Sequence, residues 1–99
     1  MGEEMREYEM TFIITPDLEQ EQIDATIEEV QKLVVSQGGQ VSKTDVWGRR
    51  RLAYPIRKKR EGYYVVMQMQ LPPEALKELD HSLKLNESIL RYLIVRTDK

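Results

Sequence analysis

"WGRRRLAYPIRKKREGYYVVMQMQL", residues 47–71, contains two extended runs joined by a short polar, basic connection. "YYVVMQMQL" is rich in β-branched and aromatic residues, and it reads as a strand. Upstream, a strand starting near Gln40 reaches Trp47. Gly48 marks a bulge, and "RRRLAYPI" continues extended beyond it. With "RKKREG" (57–62) as the turn, this is an antiparallel hairpin at the centre of the chain.

Either side of the hairpin the period changes. Before it, Ile23, Ile27, Val30 and Val34 recur at helical spacing over residues 19–37, with Glu28 and Glu29 on the wet side. Gly38–Gly39 ends that helix, because glycine accepts the left-handed cap conformation. Preceding it, "REYEMTFIIT" alternates, with Tyr8, Met10, Phe12 and Ile14 on one face. After the hairpin, the prolines at 72–73 open a second helix whose buried stripe is Leu76, Leu79 and Leu83. "ILRYLIVR" (89–96) is the last strand.

The order is β-α-β-β-α-β. With crossovers of the usual hand, it predicts an α+β, ferredoxin-like fold: a four-stranded antiparallel sheet with two helices on one face. Residues 1–99 form one domain, with 1–4 expected to be a loose N-terminal extension.

Composition narrows the function classes. The chain has no cysteine, which excludes disulfides, thiolate metal sites and thiol nucleophiles. No apolar run reaches the roughly 20 residues of a membrane span, and "MGEEMR" is too acidic for a signal peptide. A cytoplasmic protein without membrane partner, small-molecule substrate, cofactor or metal is expected. His81 has no second ligand or nucleophile at helical spacing. An anion cradle between strand 1 and helix 1 is disfavoured by "TPDLEQEQ" (15–22), where a proline removes a donor and three acids repel phosphate. Catalysis is therefore not expected.

The net charge of −2 conceals a dipole. Residues 1–37 carry two basic and ten acidic side chains (net −8), and residues 38–71 carry eight basic and two acidic (net +6). Seven of the basic groups, Arg49, Arg50, Arg51, Arg57, Lys58, Lys59 and Arg60, lie on the hairpin among Trp47, Tyr54, Tyr63 and Tyr64. Arginine forks and lysine point charges suit phosphate oxygens, and the rings suit unpaired bases. The rival reading is a solvated hairpin whose charges protect an edge strand, which explains one or two cations better than seven. Arg49 and Arg51 are expected to point away from Leu52, Tyr54 and Ile56.

Strand parity also leaves Ile13, Tyr64, Val66, Leu93 and Val95 on the face opposite the helices. Two readings fit: a protein-binding face, or hydrophobes scattered as on many monomers. Two other functions remain open for this topology. One is a regulatory module binding a small ligand at a dimer interface. The other is an independent single-strand binder of the RNA-recognition type, to which "REGYYVVMQM" (60–69) has a partial likeness.

Taken together, "MREYEMTFIITPDL", "GGQV", "WGRRRLAYPI", "EGYYVVMQMQLPPE" and "LNESILRYLIVR" resemble the bacterial small-subunit ribosomal protein six family, over about Met5 to Arg96. "GRRRLAYPI" followed by "GYY" is the most specific element. The resemblance implies a structural protein that binds the central domain of small-subunit ribosomal RNA together with small-subunit protein eighteen. Within the matched motif it makes the arginines RNA candidates, Tyr54 a ring contact or core residue, Leu52 and Ala53 structural, and Pro55 a shaper of the arm. Arg6, Arg91 and Arg96 flank neighbouring strands 1 and 4 as further phosphate candidates.

Overall fold

A computed structural model describes residues 4–97, so residues 1–3 of the expected N-terminal extension lie outside it. The elements are β1 (Arg6–Ile14), α1 (Gln20–Ser36), β2 (Gln40–Ile56), β3 (Lys59–Leu71), α2 (Leu76–Leu85) and β4 (Ile89–Arg96). The four strands pair antiparallel in the order β2-β3-β1-β4, as the ferredoxin-like reading requires.

Alternation places one side chain in two of β1 and β3 under the helices. Tyr8, Met10, Phe12 and Ile14 join Val65, Met67, Met69 and Leu71 in the core. They meet Ile23, Ile27, Val30 and Val34 of α1, with Leu79 and Leu83 of α2. Both helices thus cover the same face of the sheet. Each crossover is closed locally. The Gln22 side chain accepts a hydrogen bond from the Glu19 backbone N–H at 3.0 Å, capping α1. At its other end Gly38 adopts φ +86°, and the Gly39 N–H reaches the Val34 carbonyl at 3.0 Å. The second helix begins later than its prolines suggest: Pro73–Ala75 form one 3-10 turn before α2 starts at Leu76. Asn86 then turns the chain into β4, its side-chain oxygen accepting from the Ser88 N–H at 2.9 Å.

The hairpin is longer than its sequence implies. The expected turn over 57–62 shrinks to Arg57 and Lys58, because Lys59, Glu61 and Gly62 pair with β2. Ladder pairing takes whichever backbone groups the opposite strand offers, so polar residues join a strand without β propensity of their own. β1 pairs with β3 only as far as Tyr63, so the hairpin beyond that point forms an arm extending past the end of β1.

Candidate nucleic-acid interface

Three irregularities of β2 shape the arm. Ser42 and Trp47 are each an extra residue between paired neighbours, and Gly48, after Trp47, takes φ +86° as a bulge glycine does. Further out, Arg51 pairs with Glu61 and Ile56 with Lys59, so residues 52–55 stand opposite Arg60 alone. Four residues against one force "LAYP" out of the ladder. Pro55, which has no N–H to donate, belongs to this excursion.

The excursion folds back over the face of the sheet that carries no helix. Leu52 is buried against Ile13 and Leu90, with Ile56 and Tyr64 packed alongside. Gly62 sits where this packing is tightest: a Cβ there would stand 2.2 Å from the Ile13 Cγ2. The open face therefore differs from the sequence expectation at two of its five residues. Ile13 and Val66 are only 8% and 9% exposed, whereas Leu93 and Val95 are 63% and 48% exposed, and Tyr64 is half-buried. Leu52 supplies the cover for Ile13, a contact between residues 39 positions apart that strand parity cannot anticipate.

Aromatic and guanidinium groups line the same face. Trp47 stacks on Tyr64 with centroids 6.4 Å apart and planes 15° from parallel. The Arg50 guanidinium lies 5.6 Å from the Trp47 ring centre, and its Nε donates to the Trp47 carbonyl at 3.3 Å. Tyr54 is 55% exposed and not core; Arg91 lies over its ring at 5.6 Å and donates to its hydroxyl. Ala53 is exposed on the excursion.

The remaining cations divide into two groups. Arg49 and Lys59 are engaged: Arg49 pairs with Glu61 at 3.0 Å and donates to the Pro16 carbonyl at 3.4 Å, and Lys59 pairs with Asp17. Arg51, Arg57, Lys58 and Arg60 have no ion-pair partner among the described residues, and all four are exposed. Arg49 does point away from Leu52: it pairs across the ladder with Tyr63, whose phase is that of the helix-side residues. At the tip, Arg57 and Lys58 both take positive φ, +50° and +67°, the pattern of a two-residue type I′ turn.

Arg6 and Arg96 are not brought to this cluster. Arg6 pairs with Leu71 and Arg96 with Tyr8, at the end of the sheet away from the arm. Eight residue steps of β1 put Arg6 about 27 Å from the root of the hairpin. Antiparallel pairing makes the start of β1 and the end of β4 neighbours, so both arginines flank these strands at the end of the sheet away from the arm. Arg6 also pairs with Glu4 at 3.4 Å.

The geometry thus offers an arm with four unengaged cations beside an open face of rings and aliphatic side chains. No cluster of three or more metal-ligating side chains occurs among the described residues. Against known proteins, the ribosomal protein S6 family model matches residues 7–96. The chain belongs to the ribosomal protein S6 family. Small ribosomal subunit protein bS6 of Caldanaerobacter subterraneus subsp. tengcongensis is 45% identical over 94 residues, covering 95% of this chain and 99% of the relative. The protein of the same name from Acidothermus cellulolyticus is 47% identical over 94 residues, covering 95% and 98%. The crystal structure of 30S ribosomal protein S6 from Thermotoga maritima superposes with a TM-score of 0.90 at 30% identity, covering 95% of this chain and 89% of that one. As a member of this family the chain is a structural component of the small ribosomal subunit, located on the ribosome, and not an enzyme.

Sequence reasoning missed the companions of the arm. Trp47 was visible as one ring among four, but its stack with Tyr64 depends on the bulge that follows Val46. Asp17, in the loop before α1, and Gln20, the first residue of α1, hold Lys59 and Tyr63 from about 40 residues upstream, and nothing local marks them.

Proposed function

We propose that this chain binds the central domain of small-subunit ribosomal RNA as a unit with small-subunit protein eighteen, during assembly of the platform. The arm meets the RNA backbone and the open face meets the protein. The observation that carries this reading is the set of four exposed cations, Arg51, Arg57, Lys58 and Arg60, with no acid among the described residues engaged on them. Like charges clustered this closely repel one another until an anion relieves them, and a phosphate backbone is an anion of the right extent. On the open face Leu93 is a large exposed aliphatic group lining a pocket with Tyr54 and Tyr64, and Val95 is exposed two residues farther along β4, away from the arm. This is the composition of a protein contact.

The test is binding to a central-domain RNA fragment across a salt series, with and without protein eighteen. Tight binding only with the partner is expected. Replacing the four cations with alanine is expected to reduce the slope of log K against log salt by roughly 0.7–0.9 for each phosphate no longer neutralised. Binding that ignores the partner, or a slope unchanged by the substitutions, defeats the proposal.

A further inference from the structure

Beyond Tyr63 the arm has no β1 partner, so something other than the sheet sets its angle. On the open side, Leu52 and Ile56 press on Ile13 and Leu90. On the opposite side, three polar ties reach the short loop that runs into α1. Arg49, paired with Glu61, donates to the Pro16 carbonyl. Lys59 pairs with Asp17, and the Tyr63 hydroxyl donates to the Gln20 side chain at 3.0 Å. All three land within residues 16–20, the loop before α1 and its first residue, next to a helix anchored in the core through Ile23, Ile27, Val30 and Val34.

We propose that Asp17, outside the arm, and Glu61, which on the arm orients Arg49 toward the Pro16 carbonyl, position the arm for RNA, with Lys59 and Arg49 acting as struts and not as phosphate ligands. This rests on the RNA-binding reading above and divides its basic residues into those that touch RNA and those that aim them. The consequence runs against simple electrostatics. Each acid lies beside a surface expected to meet a polyanion, so Coulomb repulsion alone predicts that neutralising it tightens binding. If the acids hold the arm, neutralising them weakens binding, because the arm then samples orientations in which the four free cations miss their phosphates and ordering it again opposes association. Exposed ion pairs are individually weak, which sets the scale at about two- to fivefold in affinity per tie.

The experiment measures RNA affinity of the full chain with protein eighteen at one salt concentration, for the wild type, Asp17→Asn/Glu61→Gln, Lys59→Asp, and the exchange Asp17→Lys/Lys59→Asp. Melting temperatures confirm that each variant is folded. The double neutralisation is expected to weaken binding about fivefold. Lys59→Asp is expected to weaken it further, since two acids then face each other, and the exchange is expected to recover most of that deficit. A double variant that binds as tightly as the wild type or tighter overturns the inference. So does an exchange that binds no better than Lys59→Asp, because Lys59 is then itself a phosphate ligand. If the wild type shows no partner-dependent RNA binding, the functional reading has failed, and the positioning role fails with it.

Discussion

The tip of the hairpin makes a stability prediction of unusual sign. Arg57 and Lys58 hold φ of +50° and +67°, the left-handed region in which a Cβ crowds the following carbonyl. That conformation costs about 1–2 kcal/mol per residue for ordinary side chains, and type I′ turns accordingly favour Asn-Gly. Neither tip side chain is compensated by an ion pair among the described residues. Replacing the pair, Arg57→Asn/Lys58→Gly, relieves most of the strain at position 58 and part of it at position 57. Against this stands the added freedom of glycine in the unfolded chain, about 0.5–1 kcal/mol. The balance is a gain of about 1 kcal/mol. In a domain of 99 residues that raises Tm by about 4–8 °C. Calorimetry and urea titration read it directly, the latter as a higher midpoint at unchanged slope. The same variant removes two candidate phosphate ligands, so its RNA salt slope is expected to fall by about 1.4–1.8. A more stable protein that binds RNA less steeply is the expected pair of results. An unchanged or lower Tm refutes the argument that the turn stores strain.

Other expectations follow from single contacts. Gly62→Ala puts a methyl group 2.2 Å from the Ile13 Cγ2, on a stiff β-branched side chain, and should destabilise by about 1–3 kcal/mol in urea unfolding. Leu93→Glu/Val95→Glu adds charge to two groups already exposed, so Tm should move little while affinity for protein eighteen falls at least about tenfold by calorimetric titration. Tyr92 has its phenol pushed up to about 12 by burial, and then by its hydrogen bond to the Asp80 carboxylate. Between pH 10 and about 12 the unfolded chain releases that proton while the folded chain keeps it, so stability should fall as pH rises through this window, and the fall should be shallower in Tyr92→Phe. The Asp80 carboxyl is held below its ordinary value by the hydrogen bond from Tyr92 and then by Lys84. Its contribution is present above the ordinary value and disappears as the pH falls through the lowered one. The stability difference between the wild type and Asp80→Asn, followed by urea unfolding at several pH values, should therefore be largest near neutrality and close in acid. A difference independent of pH would show that packing, and not the carboxylate charge, accounts for it.

The fold was legible because its determinants are local. Alternation in "REYEMTFII" and "YYVVMQMQL" put Tyr8 to Ile14 and Val65 to Met69 under the helices, and helical spacing put Ile23 to Val34 and Leu79 to Leu83 against them. Gly38–Gly39 ended α1 where the left-handed cap requires it. The clustering of seven cations between residues 49 and 60 was equally visible, because it is a fact of composition. Their division into four free and three engaged groups was not, since it depends on how Asp17, Glu61 and Trp47 meet those cations.

Thus residue period, turn chemistry and charge order determined the element sequence, the buried faces and the existence of a basic hairpin. Tertiary structure alone decided that Leu52 folds over Ile13, that Arg6 and Arg96 stand at the far end of the sheet, and that Lys59 meets Asp17. The physical reason is range. Side-chain alternation and helix capping act over a few residues, whereas the packing of an irregular strand and the pairing of exposed charges are settled only after the chain has closed on itself.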